Sequence, residues 1–285
     1  MRHLLLFLLL LSGRLGAQSL LWEVSGNGLT RPSYLFGTYH ILKDSYLQQA
    51  PLVRGAFERA EGVVVETTVD SSAMLNMAVR ALMPGKTLQQ LISTDDYSLV
   101  ANEFKKTTGY DLAMFSLMKP IMAATTLSLA YAEQESDTLH RFSGQPLDLF
   151  FAAEATRRHK TLVPLETMEQ QMAFLFDHDP VEKQATDLVT MVKEKDTMRG
   201  TGRQLTDLYL AGNLDGLVTL SRQYEDKYGD MAYLVNDRNR TWMKRLPGLM
   251  AVRPTFVAVG ALHLPGPDGL ISLLRQQGYT LKPVR

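Results

Sequence analysis

The chain has 285 residues, 45% of them apolar and 21% charged, which suits a soluble globular protein of one large α/β domain or two small ones. Thirty basic residues balance thirty acidic ones, so no charge excess points to nucleic acid as a partner. No cysteine occurs, which excludes disulfides, thiol catalysis, thiolate zinc sites and a lipidated cysteine.

Residues 1–17 read as a secretory signal peptide. Arg2 and His3 precede the apolar run Leu4–Leu11, and the small pair Gly16-Ala17 marks a cleavage point. The run is too short to span a bilayer, and so is the most apolar later stretch, Ile121–Ala132. That stretch follows Pro120 at a helix N1 position and reads as a core helix. The expectation is an exported protein, periplasmic or secreted, with no membrane span in its mature part.

Leu20–Val24 and Ser33–Tyr39 are apolar runs joined by Ser25-Gly26-Asn27-Gly28, which predicts an N-terminal hairpin. Gln48–Ala60 reads as helix, and Gly62–Glu66 as a strand rich in β-branched residues. Residues 71–145 carry mostly helical patterns. The helix Leu147–Arg158 leads to the strand Thr161–Leu165, where Pro164 argues for a sheet edge. The pattern is helical again over 167–250, with Leu188, Met191 and Val192 on one face. Phe256–Gly260 reads as a strand buried on both faces, and a helix at Leu270–Gln277 precedes a last strand, Tyr279–Val284. These elements predict one α/β domain over 18–285. Its central sheet is mixed and largely parallel, with helical insertions at about 71–145 and 167–250.

Four strand-like runs end in a reactive residue: Gly37-Thr38-Tyr39-His40, Val65-Glu66, Leu165-Glu166 and Gly260-Ala261-Leu262-His263. Parallel strands gather such residues just beyond their carboxyl ends. Two histidines with one or two carboxylates form a common ligand set for a catalytic divalent ion, which activates water and polarises a carbonyl. Chance alone gives about 0.4 Gly-x-x-His matches with 20 Gly and 6 His, so the pair carries more weight than either copy. Taken singly, Glu66 and Glu166 also fit surface or helix-capping carboxylates. His140, His159 and His178 lie in polar, loop-like or helix-end settings. Arg238-Asn239 offers an anion clamp and a substrate-orienting amide, or simply a capped, solvated helix end. Tyr39 fits packing as well as oxyanion help.

Together, Gly37–His40, the strand ending in Glu66, Leu165-Glu166-Thr167, Arg238-Asn239 and Val259-Gly260-Ala261-Leu262-His263-Leu264-x-Gly266 resemble the TraB/GumN family, related to the Tiki proteases. The resemblance spans about 20–285, with the motifs in family order. It implies an α/β core like that of the Tiki and erythromycin-esterase-like group, with a metal-dependent hydrolytic site. By motif position His40 and His263 match the family histidines as metal ligands and Glu66 its acidic residue, as ligand or general base. Glu166, set beside the metal ligands, and Arg238 and Asn239, set beside Glu66 in the catalytic group, match further family motifs. The implied cofactor is a divalent ion, Mn, Co, Zn or Fe, and the substrate a peptide or a small molecule with an amide or ester bond. A non-catalytic protein that captures a peptide, metal or haem-like ligand on the same fold is the rival reading.

Overall fold

The computed structural model describes residues 19–69, 71–228 and 232–285, so the signal-peptide reading of residues 1–17 lies outside the described residues. Six strands form where apolar runs meet turn residues: β1 Leu21–Gly26, β2 Ser33–Thr38, β3 Gly62–Val65, β4 Thr161–Pro164, β5 Thr255–Gly260 and β6 Tyr279–Pro283. They make one sheet in the order β4-β3-β5-β2-β1-β6. The pairs β2·β5, β3·β5 and β3·β4 are parallel, while β1 runs antiparallel to β2 and β6. The architecture is therefore α/β with a mixed, mostly parallel sheet.

The β1–β2 connection needs left-handed backbone at three successive residues, Gly26, Asn27 and Gly28 (φ 79°, 44° and 82°). Glycine and asparagine supply that conformation at least cost. Pro164 ends β4, and β4 is indeed an edge strand, where a missing N–H leaves no ladder bond unmade. The helix read at Gln48–Ala60 divides in two, a 3₁₀ turn at Asp44–Gln49 and an α-helix at Pro51–Arg59. Pro51, which has no N–H to donate, opens the second piece.

Central strand β5 is buried along nearly its whole length. Phe256 packs between Phe151 and Phe57, with ring centroids 4.9 and 5.5 Å away, and Phe36 stands 5.7 Å from Phe151. This aromatic cluster fixes the helices Pro51–Arg59 and Leu147–Arg157 on one face of the parallel strands. Aromatic pairs at these spacings add about 0.5–1.5 kcal/mol each beyond area burial.

Both long connections are helical. Pro120–Gln134 and Thr94–Thr108, from the first, pack on Val181–Lys193 from the second. Val100, Phe104, Leu127 and Leu188, all fully buried, form an apolar core separate from that of the sheet. The two insertions thus support each other across the carboxyl end of the strands.

Candidate active site

Because β2, β3, β4 and β5 run the same way, His40, Glu66, Glu166 and His263 all come off one edge of the sheet. Neither motif glycine is there for a left-handed turn: Gly260 sits at φ −52°. Both are there for space. A Cβ on Gly37 would stand 2.9 Å from Ala261 Cα, and one on Gly260 would stand 3.3 Å from Glu66 Oε1. Only glycine lets the two motifs and the carboxylate approach this closely.

At the first motif, His40 opens onto a cavity, with 67% of its side-chain surface exposed. Its Nδ1 lies 2.7 Å from Asp148 Oδ2, and Thr38 donates to the other oxygen of the same carboxylate. Asp148 can only accept when ionised, so Nδ1 carries the proton and Nε2 is turned toward the site. The charge of Asp148, in direct contact with the ring, raises the His40 pKa to about 9.

His263 is set differently. It is only 4% exposed and packs on the Trp242 indole at 4.4 Å between ring centroids. Its Nδ1 lies 2.7 Å from Asn239 Oδ1, and the Asn239 amide nitrogen donates to the carbonyls of His263 and Asp268. Asn239 is fully buried, so it positions the imidazole and leaves no amide free for substrate. Burial pushes the His263 pKa down to about 4, so the ring is neutral at pH 7.

Between the histidines lies a buried charge group. Arg238 Nη2 donates to Glu66 Oε2 at 2.5 Å and to Glu166 Oε1 at 2.6 Å. Glu166 also takes bonds from Arg238 Nε at 3.2 Å and from Trp242 Nε1 at 3.1 Å, so both its oxygens are engaged. Glu66 Oε1 accepts the Gly260 amide at 2.7 Å and lies 3.7 Å from His263 Nε2. Burial alone would discourage ionisation of Glu66. His263, Arg238, His40 and the Gly260 amide outweigh it and hold the pKa at about 2.

The sequence residues His40, Glu66, Glu166, Arg238, Asn239 and His263 thus gather at one edge. Asp148 and Gln171, which donates to Glu66 Oε2 at 3.2 Å, were not singled out in the sequence. Asp148 lies in the first turn of its helix, where an acid is favoured by the dipole anyway and gives no separate signal. Tyr39 packs on Tyr209 at 5.1 Å, and its hydroxyl bonds with Thr206. His178 stacks on Tyr233, and His159 takes a left-handed turn position (φ 54°).

A cavity of about 530 Å³ covers this edge. Its floor includes His40, Glu66, Arg238 and His263, and helices of both insertions wall it, through Leu129 and Ala132 from the first and Phe174, Leu205 and Leu220 from the second.

The donor set suits a divalent ion in kind once His40, which its raised pKa keeps protonated at pH 7, gives up its Nε2 proton: two imidazoles anchored through Nδ1, the arrangement that orients metal-binding histidines, and an ionised carboxylate. Among the described residues, however, no three such donors are grouped closely enough to hold an ion. Arg238 Nη1, 3.2 Å from His263 Nε2, takes up the lone pair that an ion would need.

The model of the TraB/PrgY/gumN family matches residues 20–283. The chain belongs to this family. The match spans the whole sheet and every residue of the strand-end cluster, so this TraB/PrgY/gumN protein carries the site within the family domain. Neither curated proteins nor solved structures match the chain. Among the described residues of this TraB/PrgY/gumN protein, no helix is long and apolar enough to cross a membrane.

Proposed function

We propose that this TraB/PrgY/gumN protein is an exported, metal-dependent hydrolase of peptide, other amide or ester bonds. One observation carries the reading. The histidines of both Gly-x-x-His motifs flank one carboxylate at the floor of a cavity, each with Nδ1 tied back so that Nε2 faces inward.

In this reading His40 and His263 hold the ion, with Glu66 as the third ligand. A divalent ion bound there supplies a water of lowered pKa and polarises the scissile carbonyl. Imidazole and carboxylate donors accept Mn, Co, Zn or Fe. A carboxylate held at about 2 is a weak proton acceptor near neutrality, which favours ligand over general base for Glu66. Glu166 is spent on Arg238 and Trp242, which favours an orienting role over ligation. Arg238 balances both carboxylates and reaches the floor of the cavity, where it can face an oxyanion once it leaves His263 Nε2. Asn239 positions His263.

The direct test is metal analysis of protein purified without added metal or affinity tag. Turnover of fluorogenic peptides and esters with each of the four ions completes it. Hydrolysis that a chelator removes and an ion restores supports the reading. No turnover under any ion overturns it. The hold of Arg238 on His263 Nε2, and the lack of a three-donor group among the described residues, favour one second reading, a binding protein that captures its ligand without cleaving it. Export carries its own check. Intact mass of the exported protein should place the N-terminus at about Gln18, and a form beginning at Met1 would remove the localisation.

A further inference from the structure

We infer that the substrate carries an aliphatic chain beside the bond that is cut, and that the helical insertions form the socket for that chain. The inference rests on the hydrolase reading of the strand-end site. The walls of the cavity supply the argument. Leu129, Leu175, Met198, Leu205, Leu220 and Leu234 reach it from five different helices. Leu129 and Leu175 keep 44% and 39% of their surface exposed, a cost that a ligand would remove. Unbranched Met198 and Met191 re-pack readily around a flexible chain.

The charged groups lie together rather than along the walls. Among the described lining residues, Glu225 is the single charged side chain outside the floor cluster of His40, Glu66, Arg238 and His263. An extended peptide would need partners for a main-chain N–H and C=O at every residue. The edges able to pair with one, β4 and β6, contribute no residue to the cavity. Beside the scattered hydroxyls of Ser128, Thr201 and Ser221, the walls suit methylene groups, with a polar carbonyl at the floor. A cavity of this size is within the range that encloses a ligand of drug-like dimensions. Hydrolysis balances simply. The acyl C–N or C–O bond breaks, the oxygen of water joins the acyl carbon, and its proton leaves with the amine or alcohol.

The test is calorimetric titration of the full mature chain with N-alkylacetamides from butyl to dodecyl, none of which needs to be cleaved. Affinity should rise by about fourfold per added methylene until the cavity is full, as complete burial of each CH₂ implies. Leu129→Gln with Leu175→Gln should flatten that rise. Both side chains are exposed, so an unchanged melting temperature keeps the comparison interpretable. A slope near zero overturns the inference, and so does tighter binding of tetra-alanine amide than of N-decylacetamide. The hydrolase reading fails separately. A steep slope without turnover of decanoyl amides or esters under any ion supports the socket and removes the enzyme. Turnover of acetyl substrates with a flat slope does the reverse.

Discussion

The two Gly-x-x-His motifs are the same four-residue pattern in two different settings. His40 stands at the open side of the cavity, held by the charge of Asp148 and raised to about 9. His263 is enclosed by Trp242 and the neutral amide of Asn239, and is lowered to about 4. A motif therefore sets the position of an imidazole but not its charge. Residues far away in the sequence do that. The pairing also divides labour at one site, since one ring is fixed by packing and the other stays within reach of solvent.

Removing Arg238 should break this contrast most severely. Arg238→Met leaves Glu66 and Glu166 buried without their shared cation, which costs about 3–5 kcal/mol for a buried pair deprived of one partner. Urea unfolding at pH 7 measures the loss. A change below about 1 kcal/mol would mean that the carboxylates find water or another cation. Lysine at 238 should recover only part of the stability, because it lacks the planar fork that joins two carboxylates.

Alanine at each histidine should sharpen it. His263→Ala removes a buried ring packed on Trp242 and leaves the Asn239 oxygen without its donor, a loss of about 2–3 kcal/mol. His40→Ala, at a more exposed ring whose pair with Asp148 is screened by solvent, should cost less than His263→Ala. On the proposed hydrolase function, both should remove turnover. Equal stability losses would mean that the two settings do not differ in the way described.

The contrast also shows in the pH profile of metal-free protein. His40, raised to about 9, contributes stability that is complete below its ordinary value near 6.5 and is lost as pH climbs through about 9. His263, lowered to about 4, acts oppositely, because the unfolded chain takes up its proton first and stability falls as pH drops from 6.5 to 4. Asp148→Asn should abolish the alkaline loss, leave the acid one, and bring the His40 titration seen by NMR back toward 6.5. An unchanged alkaline limb would remove Asp148 from its role.

Much of the fold was legible because apolar runs such as Gly62–Glu66 and Phe256–Gly260 announce buried parallel strands by composition alone. Their shared direction then put His40, Glu66, Glu166 and His263 on one edge. The environment of each residue was not legible. The bond between His40 and Asp148 joins positions 108 residues apart, and Arg238 reaches 172 residues back to Glu66. No local pattern encodes such distances. Asn239 shows the same limit, since its place in a helix end fits a solvated cap, whereas the fold buries it completely. The cavity, too, depends on how helices from two insertions pack, which periodicity within each helix leaves open.

The place of β5 has a consequence for how the protein is made. β2 and β3 never touch; β5, which begins only at Thr255, lies between them. A growing chain that has reached residue 254 can pair β1 with β2 and β3 with β4, but the two ribbons have nothing to join them. Each then shows a bare strand edge, a template for association with other chains. Joining the ribbons must await one late, long-range insertion, which makes folding slow for its size and couples their union to arrival of His263. Premature termination anywhere before β5 should therefore yield aggregates rather than a weakened protein. A chain stopped just short of β5 holds His40, Glu66, Glu166 and Arg238 and cannot assemble them.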